Sequence, residues 1–180
     1  AYEITYGDWS SDVCSSDLMV EPILSIRRYR TEDAPILWTL FYHTVRVINR
    51  RDYTESQVSA WAPSDFDLNS WQRTMDAIQP YIAEIEGQIV GYCDLQSDGL
   101  IDHFFCHHEY QGQGIGRDLM SFLFSQAKVK GIERLYSEVS ITARPFYEKM
   151  GFTVKVQQRA EVRGETLTNF MMEKYISLKS

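Results

Sequence analysis

The spacing of apolar residues changes along the chain from helical to strand-like, and the change falls near Pro80. Before that point, two interleaved rows over Ile23 to Tyr29 predict a short strand. The apolar residues of Ile36 to Ile48 then recur at helical intervals, after a start marked by Thr31 as the expected cap and Pro35 in the first turn. The pattern predicts three helices in this half, over Thr31 to Asn49, Thr54 to Trp61 and Asn69 to Ile78.

Beyond Pro80 the pattern predicts a β-meander, a long helix and a closing hairpin. Turns at Glu86-Gly87 and Asp98-Gly99 would separate the first three strands, and Gly131 would end the long helix. The predicted strands are Tyr81 to Glu84, Ile89 to Leu95, Leu100 to His107, Leu135 to Val139, Phe152 to Val162 and Leu167 to Ile176, and the predicted helices are Gly114 to Lys130 and Ala143 to Met150. No repeat or linker interrupts residues 19–180, so we expect them to form a single α/β domain.

The first eighteen residues show no helical or strand period beyond Tyr6, and they lack the basic start and apolar stretch of a secretory signal. Asp8 to Leu18 resembles the conceptual translation of a common sequencing-library adapter read in frame. We therefore expect residues 1–18 to be a non-native or disordered leader, with Met19 as the natural start. A natural polar extension is the alternative.

Composition is that of a globular protein with a substantial core, because 44% of the residues are hydrophobic and 13% are aromatic. No apolar window approaches the roughly 18 residues that cross a bilayer. The formal net charge is −7, but four acidic residues lie in the leader, so residues 19–180 carry a net charge of −3. This weak charge disfavours nucleic acid as a partner. The three cysteines form neither a metal-ligand spacing nor an even disulfide set, which favours a reduced, cytoplasmic setting.

A glycine-rich segment joins the predicted meander to the longest helix, with the sequence Tyr110-Gln111-Gly112-Gln113-Gly114-Ile115-Gly116-Arg117. Glycines permit positive φ and close approach of a ligand. The first N–H groups of a helix bind anions at the positive end of its dipole, and Arg117 adds a full charge. A tight connection without a ligand is the alternative. A dinucleotide-binding loop is disfavoured, because that loop follows the first strand of a βαβ unit and not an antiparallel meander.

Two motifs in the chain resemble those of the GNAT family of N-acetyltransferases. Gln111-x-x-Gly114-x-Gly116 matches the family's Gln/Arg-x-x-Gly-x-Gly/Ala signature, and Ala143 to Phe152 looks like its Ala-x-x-x-Tyr-x-Lys-x-Gly-Phe motif. The order of the predicted elements also matches over Ile23 to Ile176. The resemblance implies a mixed, mostly antiparallel central sheet flanked by helices, in which a splayed pair of strands holds acetyl-coenzyme A (acetyl-CoA).

In that family the glycine-rich loop holds the pyrophosphate of acetyl-CoA, and main-chain groups of the preceding strand bind the pantetheine arm and polarise the thioester. A bulge that separates this strand from the next would free its N–H groups. Cys106 is expected to be a buried cysteine and not an acyl carrier, because the family usually transfers the acetyl group directly. The resemblance assigns coenzyme binding to Phe104, Phe105, Cys106, Gln111, Gly112, Gln113, Gly114, Ile115, Gly116 and Arg117.

Acetyl transfer to an ammonium needs a general base for the acceptor and a general acid for the leaving thiolate. Tyr147 stands where the family places the hydroxyl that faces the coenzyme sulfur, so its implied role is the acid; simple aromatic packing is the alternative. Three residues are candidate bases. Asp102 resembles the acidic residue that aminoglycoside 6′-type members place against the reacting amine, His103 has a suitable intrinsic pKa, and Glu84 would act through a water. The two-residue period predicts that Asp102 and His103 face opposite sides of their strand.

The acceptor pocket is expected at the connection between the first two helices. Asn49 to Tyr53 breaks the helical pattern with polar and aromatic groups, as a binding loop would, while solvated capping is the alternative. The expected substrate-binding residues are Tyr42, Arg51, Tyr53, Trp61 and Asp102. His107, His108 and Glu109 are neighbours in the chain whose side chains are expected to point apart, so no metal site is expected.

The sequence therefore predicts a cytoplasmic N-acetyltransferase with acetyl-CoA as co-substrate and a primary amine of a small molecule as acceptor. An aminoglycoside is the first acceptor to test, which would imply a role in antibiotic resistance; a polyamine, an amino acid, a protein N-terminus or O-acetylation remains open. The alternative from a different class is a non-catalytic coenzyme A-binding module. Neither a membrane, a nucleic acid nor a metal is expected as a partner, and a homodimer is left open because dimers are frequent among such proteins.

Overall fold

Two antiparallel sheets form the frame of the molecule in a computed structural model that describes residues 23–178; the predicted leader at residues 1–18 lies outside the described residues. The first sheet has the strand order β1-β2-β3-β4 and the second has the order β5-β7-β6. The strands are β1 (Leu24–Arg28), β2 (Tyr81–Ile85), β3 (Gln88–Cys93), β4 (Phe104–Cys106), β5 (Arg134–Ser140), β6 (Thr153–Val162) and β7 (Glu165–Tyr175). The helices are α1 (Ala34–Val47), α2 (Glu55–Trp61), α3 (Leu68–Ile78), α4 (Ile115–Lys130) and α5 (Arg144–Lys149).

Helices cover both faces of the first sheet, because alternate residues of its central strands belong to two different apolar clusters. Ile82 and Tyr92 pack with the apolar residues of α1, α2 and α3. Ala83 and Cys93 pack with those of α4, β5 and α5. This layered arrangement confirms the predicted α/β fold with mostly antiparallel sheets flanked by helices. No helix within residues 23–178 has both the length and the apolar content that a membrane span requires.

Local sequence explains how the elements nearest the site begin and end. Thr54 caps α2, since its hydroxyl accepts the Gln57 N–H while the Gln57 side chain accepts the Thr54 N–H. Gly114 and Gly131 flank α4 with φ angles of +86° and +69°, which favour glycine. These caps fix the two helix starts that border the cavity described below.

The first helix and the third meander strand differ from their predicted extents. Thr31 does not cap α1: residues 31–33 form a 3₁₀ turn, and α1 begins at Ala34. A second 3₁₀ turn, Asn49–Arg51, follows the end of α1 at Val47. The strand expected over Leu100 to His107 is shorter in the structure, where β4 covers Phe104–Cys106. The buried Asp94 carboxylate accepts the N–H groups of residues 102 and 103, so these groups do not pair with a strand.

Candidate active site

The site is built around a gap between β4 and β5. Within residues 23–178, β4 pairs with β3 and β5 pairs with β7, but the two strands do not pair with each other. One parallel bridge between Leu100 and Tyr136 joins the segments near the start of both strands. The predicted bulge is not found at this gap, because the register shifts lie between β2 and β3 and between β6 and β7. Each strand has its antiparallel neighbour on the other edge, so within the described residues the edges that face the gap are unpaired beyond this bridge.

The edge of β4 that faces this gap keeps main-chain groups available. The register pairs Phe105 with its neighbour on β3, and the next bonded position is His107, whose N–H donates to the Val90 carbonyl at 2.8 Å. Bonded residues alternate along an antiparallel ladder. The main-chain groups of Phe104 and Cys106 therefore face the gap, while those of Phe105 are used by β3. Of the three predicted residues, Phe104 and Cys106 face the gap, and Cys106 offers only its N–H to a ligand because its carbonyl is bound by two side chains.

The end of β4 is fixed by two side chains that bind the same carbonyl. The Cys106 carbonyl accepts hydrogen bonds from Thr44 Oγ1 at 2.9 Å and from Gln111 Nε2 at 3.0 Å. Gln111 also donates to the His107 carbonyl at 3.2 Å, so its amide ties the glycine-rich loop to the strand. Burial raises the pKa of the Cys106 thiol to about 12, which suits a packed cysteine and not a nucleophile.

The glycine-rich loop has the backbone geometry of an anion cradle. Gly112 and Gly114 adopt φ angles of +74° and +86°, and the first helical bond runs from the Asp118 N–H to the Gly114 carbonyl at 3.0 Å. The N–H groups at the start of α4 therefore have no intrahelical acceptor. A Cβ on Gly116 would lie 3.4 Å from the Phe146 ring, so this glycine lets the loop approach α5 closely. Arg117 is exposed and adds a charge beside the loop.

Tyr147 lies on α5 with its hydroxyl beside the start of the gap. The side chain is buried, and its O–H donates to Ser137 Oγ at 3.4 Å, while the Ser137 hydroxyl donates to the Ile101 carbonyl at 2.7 Å. Burial raises the pKa of Tyr147 above its ordinary value, so the phenol keeps its proton at any physiological pH. The Tyr147 hydroxyl is therefore protonated, and Ser137 is its hydrogen-bond partner.

Asp102 and His103 both line the cavity, so the prediction that they face opposite sides is wrong. Residues 102 and 103 precede β4, and strand alternation does not apply to them. His103 Nε2 lies 3.8 Å from Asp102 Oδ2, and its Nδ1 lies 3.2 Å from the Tyr92 hydroxyl. Burial lowers the pKa of His103, while the charge of Asp102 raises it. A neutral imidazole next to a carboxylate can accept a proton.

Asp94 is a buried carboxylate that the sequence analysis did not select. Its Oδ1 accepts the N–H groups of Asp102 at 2.9 Å and His103 at 2.6 Å, and its Oδ2 accepts Gln96 Nε2. Burial raises its pKa to about 6. The signal was a single acid directly after β3, a strand that is buried from its second residue onward. Asp94 positions the segment that carries both candidate bases.

The connection between α1 and α2 forms the other side of the cavity. Arg51, Tyr53 and Trp61 all line it, as predicted for an acceptor site. The Tyr53 hydroxyl is already used, since it accepts the Ile141 N–H at 2.9 Å and donates to the Thr168 carbonyl at 2.6 Å. Tyr53 therefore presents only its ring to the cavity, and Arg51 adds a positive charge to the cavity wall.

Three predicted residues do not reach the cavity. Glu84 binds Arg27, with 2.7 Å between Oε1 and Nη2, and so is not brought to the site as a base. Tyr42 packs against Trp38 and Arg46, and Gln113 is exposed on the loop; neither lines the cavity.

The side chains of His107, His108 and Glu109 converge, which contradicts the expectation that they point apart. Their ligand atoms lie within 4.8 Å of one another. The reason is that residues 108–110 form a 3₁₀ turn and not a strand. The His107 Nδ1 atom accepts the Glu109 N–H at 3.2 Å within this turn.

One cavity of about 630 Å³ is lined by β4, the glycine-rich loop, the two candidate bases, Tyr147 and the α1–α2 connection. We name its two sides by their residues: the coenzyme half comprises β4, residues 110–117 and Tyr147, and the acceptor half comprises residues 48–61 and the facing residues of β6 and β7. Its wall contains two buried polar atoms without a partner in the described chain, Thr142 Oγ1 and Asn169 Oδ1. Buried polar atoms are normally hydrogen-bonded, so the cavity is suited to a ligand with amide or hydroxyl groups, as coenzyme A has.

Known proteins share this architecture. A family model described as Acetyltransferase (GNAT) domain matches residues 49–174. The chain is 34% identical over 149 residues to the uncharacterized N-acetyltransferase YafP of Escherichia coli (strain K12), covering 83% of this chain and 94% of that protein. It is similar to a solved GCN5-related N-acetyltransferase from Rhodopseudomonas palustris, with a TM-score of 0.81 at 28% identity over 90% of this chain and 100% of that one. PaiA N-acetyltransferase from Thermoplasma acidophilum, solved in complex with coenzyme A, has the same fold, with a TM-score of 0.65 at 20% identity over 86% of this chain and 99% of that one.

Proposed function

The chain belongs to the GNAT acetyltransferase family, and from this premise we propose that it transfers the acetyl group of acetyl-CoA to the primary amine of a small acceptor. The observation that carries the proposal is the meeting, in one cavity, of a glycine-rich helix start, an unpaired strand edge and a buried tyrosine. Acetyl-CoA would supply the activated acyl group. Every other contribution described below comes from residues of the chain.

Main-chain groups of the coenzyme half would hold the coenzyme. The N–H groups at the start of α4 would donate hydrogen bonds to the diphosphate, because glycine φ angles turn them outward and the helix dipole favours negative charge there. The unpaired edge of β4 at Phe104 and Cys106 would bind the amide groups of the pantetheine arm. A main-chain donor at this edge would also stabilise negative charge that develops on the thioester oxygen.

Two groups would move protons. His103 would take the proton of the acceptor ammonium, since its lowered pKa keeps the imidazole neutral at pH 7, and Asp102 would stabilise the resulting charge. Tyr147 would give its proton to the leaving thiolate, since the hydroxyl is protonated and lies in the coenzyme half. An ammonium with an ordinary pKa near 10.4 must lose a proton before attack, so a base is needed at neutral pH.

The acceptor class is tested by direct turnover. The protein is incubated with acetyl-CoA and a panel of an aminoglycoside, a polyamine, an amino acid, a peptide N-terminus and a hydroxyl compound. Because the chain carries cysteines of its own, released coenzyme A is quantified by chromatography and the acetylated acceptor by mass spectrometry. We expect equal amounts of coenzyme A and of one N-acetylated amine. Binding of coenzyme A without turnover of any amine would contradict the proposal and favour a non-catalytic binding module.

We also propose that the enzyme works in the cytoplasm. Cys93 and Cys106 are both free thiols in the described chain, as a reducing compartment maintains them. Cell fractionation that recovers the protein in another compartment would contradict this location.

A further inference from the structure

Three arginines lie close together at the corner between α1 and α2, and they differ in their partners. Arg46 donates to the Ala62 carbonyl at 3.0 Å and stacks on the Tyr42 ring. Arg50 binds Glu55, with 3.0 Å between Nε and Oε2. The guanidinium of Arg51 has no hydrogen bond, ion pair or ring contact among residues 23–178, yet it lines the cavity. A planar guanidinium left unpaired beside a cavity is suited to a carboxylate, which it binds through two parallel hydrogen bonds.

Most of the remaining wall of the acceptor half is apolar and aromatic, and its amide side chains are Asn49 and Asn169. Trp61 lies between the rings of Tyr53 and Phe105, at centroid distances of 5.7 Å and 6.5 Å, and Phe41 packs edge-on against Phe105 at 4.9 Å. Aliphatic side chains complete this wall: Ile48, Val162 and Leu167. Such a surface stabilises a ligand by burying an apolar or aromatic body.

Carboxylates are scarce in the cavity, which argues against an acceptor with several positive charges. Among residues 23–178, two acidic side chains line it, Asp102 and Glu138. Glu138 already accepts a hydrogen bond from Gln158 Nε2 at 2.8 Å. Asp102 is half exposed and lies beside His103, so it can face one ammonium. An acceptor with one ammonium matches this charge pattern, and a polycation does not.

We propose that the acceptor is an amine with an apolar, aromatic-sized body and one carboxylate, which is held by Arg51 while Asp102 and His103 face the amine. This inference rests on the proposed acetyltransferase function and names the substrate class of the same cavity. Arg51 acts by positioning the acceptor, and the aromatic wall selects its body.

Calorimetric titration of matched probes tests this class without requiring turnover. The probes are para-(aminomethyl)benzoate and its neutral carboxamide, which share the same reacting amine, with kanamycin and spermidine as polycations. Each is titrated into the protein, with and without saturating coenzyme A. The variant is Arg51→Gln, at a residue that is exposed. The matched control is Arg50→Gln, because Arg50 pairs with Glu55, which lies outside the cavity.

We expect the benzoate to bind at least about tenfold more tightly than the carboxamide, because hydrogen bonds to charged groups are the stronger ones. Arg51→Gln should abolish this difference, and Arg50→Gln should preserve it. Equal binding of the two probes, tighter binding of a polycation, or no binding of any probe would each overturn the assignment. Coenzyme A release, measured in parallel, separates the two claims: binding of the benzoate without release would contradict catalysis and leave the acceptor class standing.

Discussion

The two halves of the cavity are built from different parts of the chain. The coenzyme half consists mainly of main chain: the N–H groups after Gly114 and the unpaired edge of β4. The acceptor half consists of side chains, with Arg51 and Trp61 brought in from the α1–α2 connection. A main-chain site requires glycine at fixed positions, whereas a side-chain site can use any residue of the right chemistry. The first half is therefore marked by a motif in the sequence, whereas the structure decides which predicted acceptor residues line the second half, such as Arg51 and not Tyr42.

The largest effect should come from Tyr147→Phe, which tests whether the coenzyme half supplies chemistry as well as binding. Without the hydroxyl the thiolate leaves unprotonated, so kcat should fall about 100-fold, while the coenzyme KM should change little. Steady-state kinetics measure both quantities. Tyr136→Phe is the control, because the Tyr136 hydroxyl donates to Asp98 outside the cavity. Equal loss in the two variants, or an unchanged kcat for Tyr147→Phe, would remove its role as acid.

The next effect concerns backbone geometry in the coenzyme half. Gly114→Val cannot easily keep φ at +86°, so the loop should shift and coenzyme A affinity should fall about 30-fold. Gly131→Val is the matched control, since Gly131 has φ +69° at the other end of α4 and lies outside the cavity. Both variants should lose stability, but only the first should lose affinity in a calorimetric titration. Equal affinity losses would mean that the loop does not hold the coenzyme.

A smaller effect tests the residues at the border of the two halves. His103→Gln should lower kcat/KM at pH 7 about tenfold and flatten its rise with pH, because the acceptor ammonium then has no positioned imidazole to take its proton. Asp102→Asn removes the charge that raises the pKa of His103, so the rise should move to lower pH. The pH profiles of kcat/KM check both. A lost pH dependence in Asp102→Asn but not in His103→Gln would make Asp102 the base.

The smallest effect is on stability and concerns Asp94. Its folded pKa of about 6 lies above the ordinary 3.8, so the native state binds the extra proton and wild-type stability falls as pH rises from about 4 to 6. Asp94→Asn has no such titration and keeps an acceptor for the two N–H groups. At pH 7.5 the substitution removes the cost of ionising Asp94 in the folded state, about 3 kcal/mol, but the amide accepts weaker hydrogen bonds than a carboxylate. We expect Asp94→Asn to be more stable than wild type by about 1 kcal/mol at this pH.

Urea unfolding at pH 4.5 and pH 7.5 measures this difference. The advantage of Asp94→Asn should appear only at the higher pH. Parallel stability curves for the two proteins would show that Asp94 is ionised with an ordinary pKa in the folded state.

The same contrast explains how far the sequence could predict the structure. Periodicity predicted nearly every element, and Gly114 and Gly131 located both ends of α4, because local backbone preference decides these features. The strand expected over Leu100 to His107 was too long, since a side chain from another segment, Asp94, takes up the N–H groups of residues 102 and 103. Periodicity carries no information about such a tertiary contact.

Predictions for individual side chains depended on which element each residue occupies. Tyr147 follows a helical motif and lines the cavity as expected. Glu84 was a candidate base because it lies on a strand of the same predicted meander. In the structure Arg27 on β1 forms an ion pair with it. Arg46 and Arg50 find partners through tertiary packing, while the Arg51 guanidinium has none among residues 23–178. The sequence does not reveal this difference.

The proposed coenzyme site depends most on the loop at the start of α4. A crystal structure of the protein with acetyl-CoA tests whether this loop holds the diphosphate. We predict that diphosphate oxygens accept hydrogen bonds from N–H groups of residues 112–117, with the thioester between β4 and β5 on the side of Tyr147. A coenzyme bound elsewhere, with these N–H groups facing solvent, would contradict the central claim.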